Sequence, residues 1–247
     1  TRIAVFAYSQ TGHACLEWLL DHGADVVLVV THADRPGEKL WFPSVAELAR
    51  ARGLPVAFID DPKTPEAIAR LRSAAPDLIL SFYYRELLPE AMLRIPEKGA
   101  FNVHGSLLPK YRGRAPVNWA VLSGETRTGA TLHRMLPRAD AGEIVGQEAV
   151  IVDVDVKPPT RQWPKTQYVK ADVRDRAAIK GLLERHERAL EDGTASGQPQ
   201  SESAASTYRA RRPEDGLIDW SASTQSIDRL VRSGNILYDP VDESGND

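Results

Sequence analysis

The stretch FNVHGSLLPKYRGRAP, residues 101–116, sets an amide and an imidazole two positions apart at the end of a short apolar run. A Pro- and Gly-broken loop carrying Lys110, Arg112 and Arg114 follows at once. On an extended strand residues i and i+2 share a face, so Asn102 and His104 point the same way. An Asn amide there is a fixed, uncharged hydrogen-bond donor. A neutral imidazole beside it takes a proton near pH 7. One donor for a developing oxyanion and one base for an attacking group are the minimum for acyl transfer. A His base also needs a third group to hold its tautomer. Of the acids downstream, Asp140 in RADAG is the best placed. Ser106 lies in GSLL without a G-x-S-x-G elbow, and no other Ser or Cys stands out as a nucleophile. The pattern points to direct transfer to a substrate amine or hydroxyl, with no covalent intermediate on the protein.

Alone, N-x-H is a weak signal. A strand Asn making a turn and a His packed at a strand end account for it as well. One His and one distant Asp are too few ligands for a metal, and none is expected. His13, His22, His32, His133 and His186 are scattered and read as surface or packing residues. SQTG lacks the G-x-G-x-x-G pattern, so the first turn gives no support for a dinucleotide site. Lys110, Arg112 and Arg114 are either a solvated loop or a clamp for phosphate or carboxylate.

The elements that must position these residues alternate. RIAVFAY (2–8) is a nearly continuous apolar run, as expected of a strand covered on both faces. SQTGH reads as a turn, and a helix over 13–22 ends at Gly23. Strands follow at 25–32, in PVAFID, at 76–84 and at 100–104. Helices over 44–53, 64–74 and PEAMLRIP lie between them, with a long loop at 33–43. This is the α/β pattern of a Rossmann-like, mostly parallel sheet with helices on both faces. In such sheets ligands collect at the carboxyl ends of the strands. The places to look are Tyr8–Gly12, His32–Lys39, Phe82–Leu88 and Asn102–Arg114.

After residue 115 the pattern changes. PVNWAVLSGE reads as a short helix, and 128–135 with 142–152 as an antiparallel hairpin extending the sheet. Residues 157–176 show no sustained period, and 177–190 carry an apolar helical stripe. The expected organisation is a catalytic domain over 1–191, a Gly/Ser/Pro-rich linker over 192–207, and the start of a small C-terminal β-rich domain over 208–247. A helix over 224–233 is expected within that last part.

With 42% hydrophobic and 26% charged residues among 247, the composition is that of a soluble globular protein with a real core. A net charge of -3 argues against bulk electrostatic binding of nucleic acid. Cys15 is the only cysteine, so no disulfide framework exists. No apolar run reaches the ~18–20 residues of a membrane span. TRIAVFAYSQ reads as a strand rather than a signal peptide. A cytoplasmic protein is expected.

FNVHGSLLPKYRGRAPVNWAVLSGETRTGATLHRM, followed by ADAG, resembles the signature of the 10-formyltetrahydrofolate-dependent formyltransferases. That family includes methionyl-tRNA, glycinamide ribonucleotide and sugar-nucleotide N-formyltransferases. N-x-H, S-L-L-P-x-Y-R-G, T-G-x-T and D-x-G, in that order and at these spacings, make a highly specific set. Within the family, FAYSQTG, THADRPGEK and SFYYRELL are most similar to the formyltransferase part of the bifunctional polymyxin-resistance enzymes. That part formylates the 4-amine of UDP-4-amino-4-deoxy-L-arabinose for lipid A modification.

The resemblance implies that Asn102 stabilises the tetrahedral oxyanion, that His104 handles the proton of the attacking amine, and that Asp140 orients His104 and raises its pKa. It implies a folate site lined by Glu86, Leu87 and Leu88, with Arg114 and the turn Leu136, Pro137, Arg138, Ala139 and Asp140. It sets Tyr111 and Arg112 facing the amino sugar and its diphosphate. The co-substrate it implies is 10-formyltetrahydrofolate, without a metal, and the acceptor a nucleotide-linked amino sugar. Methionyl-tRNA is the alternative acceptor, and a catalytically silent folate- or nucleotide-binding domain the alternative function. The net charge and SFYYRELL argue against tRNA. A homo-oligomer is compatible with the resemblance, and a dehydrogenase/decarboxylase half, present in the bifunctional enzymes, is missing from this chain. Residues 153–176 depart from the family pattern, and VKADVRDRAAIKGLLERH weakly resembles a strand-helix piece of a sugar-nucleotide epimerase or dehydrogenase.

Overall fold

The computed structural model describes residues 1–33, 42–151, 153–155, 168–170 and 176–208, with Ser223 and Ser226. Its first half alternates strand and helix: β1 (Arg2–Ala7), α1 (Ser9–Asp21), β2 (Asp25–Thr31), α2 (Val45–Ala51), β3 (Val56–Phe58), α3 (Pro65–Ala74), β4 (Leu78–Phe82), α4 (Glu90–Leu93) and β5 (Ala100–His104). The two-residue β6 (Arg112–Gly113), α5 (Pro116–Leu122), β7 (Arg127–Arg134) and β8 (Ile144–Ile151) follow. After them come β9 (Asp153–Asp155), β10 (Tyr168–Lys170), α6 (Arg176–Glu191) and β11 (Thr207–Tyr208).

Seven strands form one sheet in the order β3-β2-β1-β4-β5-β7-β8. The first five are parallel, and β7 and β8 join antiparallel. The apolar runs that read as doubly covered strands are so covered. In β1, Val5 faces the core with Cys15, Leu16, Val45, Leu182 and Leu183, while Ala4 and Phe6 face the other core with Leu71 and Met92. Thus α1, α2 and α6 cover one face, and α3 and α4 the other. Local signals start the helices where expected. The Ser44 hydroxyl accepts from the Glu47 N–H and the Thr64 hydroxyl from the Ala67 N–H, caps worth about 1 kcal/mol each.

Two sequence expectations meet a different structure. SQTGH is the first turn of α1 and not a loop. Ser and Gly favour turns locally, but Thr11 and Gly12 are small enough to be buried against the sheet, and that packing decides. The segment 192–207, read from composition as a linker, is held against the sheet. Gln198 exchanges two backbone hydrogen bonds with Ile144, and β11 pairs in parallel with β6. Apart from Tyr208, Ser223 and Ser226, residues 208–247 lie outside the described residues, as does the expected 224–233 helix except Ser226.

Candidate active site

The β5–β7 ladder assembles the site. Asn102 lies opposite His133 and His104 opposite Thr131. Asn102 Nδ2 is 3.2 Å from His133 Nε2 and 3.5 Å from Asp140 Oδ1. His133 Nδ1 donates to the Arg134 carbonyl at 2.9 Å. Its Nε2 lies between the Asn102 amide and Asp140 Oδ1, 3.3 Å from that carboxylate oxygen, and so touches both groups. The pair Asn102 and His104 thus shares a face, and Asp140 arrives beside both.

His104 is 7% exposed. Its Nε2 donates to the Tyr111 carbonyl at 2.8 Å, and its Nδ1 stands 3.5 Å from Asp140 Oδ2. With Nε2 committed as a donor, Nδ1 is the atom that can take up a proton. Burial holds the His104 pKa below its ordinary value, against the opposing pull of Asp140 and the Tyr111 carbonyl. The Asp140 charge pulls that pKa upward, but desolvation outweighs it. Burial pushes the Asp140 pKa upward, yet His104, His133 and the Gly113 N–H together hold the carboxyl well below the usual carboxylate range. The Gly113 amide donates to Asp140 Oδ2 at 2.9 Å. The site therefore pairs a neutral imidazole with a fixed carboxylate at neutral pH.

The surrounding loops are built to hold this. Thr131 donates its hydroxyl to the Ser106 carbonyl at 2.7 Å and accepts from the Leu108 N–H at 3.2 Å. Gln147 from β8 donates to both Thr131 Oγ1 and the Leu108 carbonyl. The hydroxyl of T-G-x-T thereby anchors the loop that follows His104. A Cβ on Gly142 would stand 1.8 Å from the Arg134 carbonyl, so only glycine lets the 136–142 turn close on β7. Tyr83, Tyr111, Ala115 and Asp140 all take positive φ, between 47° and 61°. Each such residue costs about 1–3 kcal/mol, and such strain gathers at functional sites.

The residues implied for the folate site fall on three segments: the loop after β4, the loop after β5, and the turn after β7. Arg114 Nη2 donates to the Arg85 carbonyl at 2.9 Å and to Glu86 Oε1 at 3.3 Å, tying the loop after β5 to the loop after β4. Leu88 is buried, whereas Leu87 and Leu136 are 52% and 45% exposed. Those two are among the three large apolar side chains left exposed in the described residues. Pro137 and Arg138 are exposed in the turn that ends at Asp140, and Arg138 pairs with Glu202 at 3.2 Å.

The two residues expected to face the sugar diphosphate have other partners. Arg112 is 1% exposed; its guanidinium donates to Gln200 Oε1 at 2.8 and 2.9 Å and to Glu202 at 3.0 Å. Burial among these acceptors takes its charge away from a ligand. Tyr111 is 7% exposed, stacks on Tyr208 at 5.1 Å and donates its hydroxyl to Glu125 at 3.0 Å. Lys110 pairs with Glu125 at 2.9 Å.

Two histidines read as packing or surface residues belong to this region. His133 is 2% exposed and touches both Asn102 and Asp140. Its signal was its place at the end of β7, two residues past the Thr131 that anchors the His104 loop. His32 follows β2. Its Nε2 accepts the Arg85 N–H at 3.1 Å, its Nδ1 is 3.4 Å from Asp60 Oδ1, and its ring stacks on Tyr84 at 4.3 Å. Only the meeting in space of the chain after β2 with the loop after β4, on either side of β1, reveals these contacts. Among the described residues, no group of three His, Cys, Asp or Glu could hold a metal ion.

A side-chain amide, a buried imidazole and a carboxylate thus converge beside β5 of a Rossmann-like sheet. The family model described as formyl transferase (Formyl_trans_N) matches residues 1–160. The chain belongs to the formyl transferase family, and it is a formyltransferase. Its fold is similar to that of WlaRD, a sugar 3N-formyl transferase solved with dTDP and 5-N-formyl-THF, at a TM-score of 0.69 and 16% identity, covering 94% of this chain and 78% of that one. An N-formyltransferase from Helicobacter canadensis, in complex with folinic acid and dTDP-3-aminofucose, matches at a TM-score of 0.68 and 16% identity over 94% and 79% of the two chains. HypX from Aquifex aeolicus, with tetrahydrofolic acid, matches at 0.66 and 16% over 94% of this chain and 34% of that one. No helix among the described residues is long and apolar enough to cross a membrane.

Proposed function

We propose that this chain moves the formyl group of 10-formyltetrahydrofolate to the amine of a nucleotide-linked amino sugar, with UDP-4-amino-4-deoxy-L-arabinose as the acceptor. The observation that carries the transfer is the convergence of Asn102, His104 and Asp140 within 3.5 Å contacts at the sheet edge. The acceptor rests on the likeness of SFYYRELL to the formyltransferase part of the bifunctional polymyxin-resistance protein ArnA, and on folds shared with sugar N-formyltransferases. On the same reading the protein works in the cytoplasm.

The residues present fit the folate. Exposed Leu87 and Leu136 offer apolar surface to a flat ring, and the Glu86–Leu88 loop, tied down by Arg114, offers backbone groups to its polar edge. The co-substrate supplies a formyl carbon that a neutral amine can attack. Asn102 donates an amide hydrogen to the oxygen on which negative charge develops. As the new C–N bond forms, His104 takes the amine proton at Nδ1, and Asp140 stabilises the imidazolium. The proton then leaves with the folate nitrogen as its bond to the formyl carbon breaks.

Formyl transfer from 10-formyltetrahydrofolate is to be assayed in parallel on UDP-4-amino-4-deoxy-L-arabinose, dTDP-amino-hexoses and methionyl-tRNA. Turnover on the UDP sugar is expected. Preference for a dTDP sugar overturns the acceptor, preference for methionyl-tRNA overturns the sugar class, and folate binding without transfer to any amine overturns the reaction.

A further inference from the structure

We infer that Gln200, from the segment between α6 and β11, is a positioning residue for Asp140, and that Arg112 serves it from beneath. This inference rests on the proposed role of Asp140. Asp140 holds a left-handed backbone, φ 47°, which an aspartate keeps only where its surroundings enforce it. Gln200 supplies that enforcement. Its Nε2 donates to the Asp140 carbonyl at 2.8 Å and to the Gly142 carbonyl at 2.7 Å, clamping both ends of the turn apex. An amide has two N–H groups, and both are used here.

The other end of the same amide is equally committed. Gln200 Oε1 accepts from Arg112 Nε and Nη2, at 2.9 and 2.8 Å. Arg112 is fully buried, and its remaining charge meets Glu202. A buried guanidinium with a fixed fork cannot drift, so it fixes the Gln200 amide, and the amide fixes the turn. The path continues to the carboxylate itself: Gly113, next to Arg112, donates its N–H to Asp140 Oδ2. Asp140 is thus gripped at its backbone by Gln200 and at its side chain by Gly113. The segment that carries Gln200 is itself tied down by the Ile144–Gln198 bridge and by Ser206, whose carbonyl accepts the Arg112 N–H at 2.8 Å.

Gln200→Met keeps length and neutrality and removes both donated bonds. Gln200→Glu keeps the acceptor for Arg112, which protects the fold, and also removes both donors. Each is expected to lower kcat about 10-fold or more, with KM for 10-formyltetrahydrofolate and for the amine within about 3-fold of the parent. A freed Asp140 pulls less on the His104 imidazolium, so the acid limb of kcat/KM in Gln200→Met should move to lower pH. A fall in kcat with the acid limb unmoved overturns the role, because it marks a loss of packing alone. Loss of turnover in Asp140→Asn with none in either Gln200 variant overturns it too, and leaves the proposed reaction standing. Unchanged turnover in Asp140→Asn overturns the role of Asp140, and that of Gln200 with it.

Discussion

Asn102 and His133 face each other across the β5–β7 ladder, and their side chains meet Nδ2 to Nε2 at 3.2 Å. The amide proposed to hold the oxyanion therefore rests against a histidine on the neighbouring strand. That histidine is aimed in turn by the Arg134 carbonyl.

His133→Ala removes the ring that meets both the Asn102 amide and Asp140 Oδ1, and lets that amide rotate. The expected outcome is a fall in kcat of about 10-fold, smaller than the roughly 10²-fold or greater loss in Asn102→Ala. His133→Gln keeps a polar group beside Asn102 and Asp140 and should recover part of the difference. Steady-state kinetics on the three variants checks this, and equal kcat in His133→Ala and the parent would remove His133 from the mechanism.

The pH dependence follows from His104. Its pKa lies below the ordinary 6.5, so the base form persists into mildly acid solution. The acid limb of kcat/KM should fall below pH 6.5, and Asp140→Asn should push it lower while reducing kcat. Between the folded pKa and the unfolded value of about 6.5, the unfolded chain binds more protons at this residue. This contribution to stability is thus complete above the unfolded value and is lost as pH falls through that window. A pH–rate profile together with melting curves from pH 5 to 8 tests both signs.

The loop that begins at Arg85 hangs on His32. Burial lowers the His32 pKa, helped by the Arg85 charge and opposed by Asp60 and Glu86. The ring is held between Tyr84 and Tyr8. The neutral ring accepts the Arg85 N–H through Nε2; a protonated ring cannot. His32→Ala should raise KM for 10-formyltetrahydrofolate about 10-fold and leave kcat at saturation near the parent value. In the parent, KM should rise as pH falls through the lowered His32 pKa. A change in kcat alone would point away from the loop.

Gly113 has φ 101°, and a Cβ there would stand 2.1 Å from the Tyr208 carbonyl. Gly113→Ala must therefore part β6 from β11 and disturb the N–H that holds Asp140. A stability loss of about 1–3 kcal/mol is expected, with kcat reduced even at temperatures where the variant is folded. Chemical denaturation and kinetics on the same sample measure the two effects.

Much of this was legible in the sequence where the signal is local. Helices α2 and α3 start at the Ser44 and Thr64 caps. Strand β5 runs from Ala100 to His104 as its apolar run predicts, and the RTGATLHR and IVGQEAVI strands pair as a hairpin. Asn102, His104 and Asp140 were named from residue type, spacing and a family signature. What stayed hidden depends on contacts made at long range. Arg112 looks like any loop cation until Gln200 and Glu202, about ninety residues on, cover it. Nothing in the Gly/Ser-rich composition of 192–207 announces a strand partner, because β11 pairs only with the two residues of β6. His133 acquires its meaning from cross-strand register, which periodicity does not encode.

The segment from Gln198 to Tyr208 separates two boundaries that usually coincide. Every strand of the seven-stranded sheet lies before Glu191, and α6 closes over them. The Asp140 turn gains its bonds from Gln200, and Tyr111 and Arg112 theirs from Ser206, only when this segment is in place. Removal of the chain after α6 would leave the seven-stranded sheet with Asn102, His104 and Asp140 all present, and the aspartate without its Gln200 bonds. A peptide carrying residues 192–208 should then restore the grip on that aspartate.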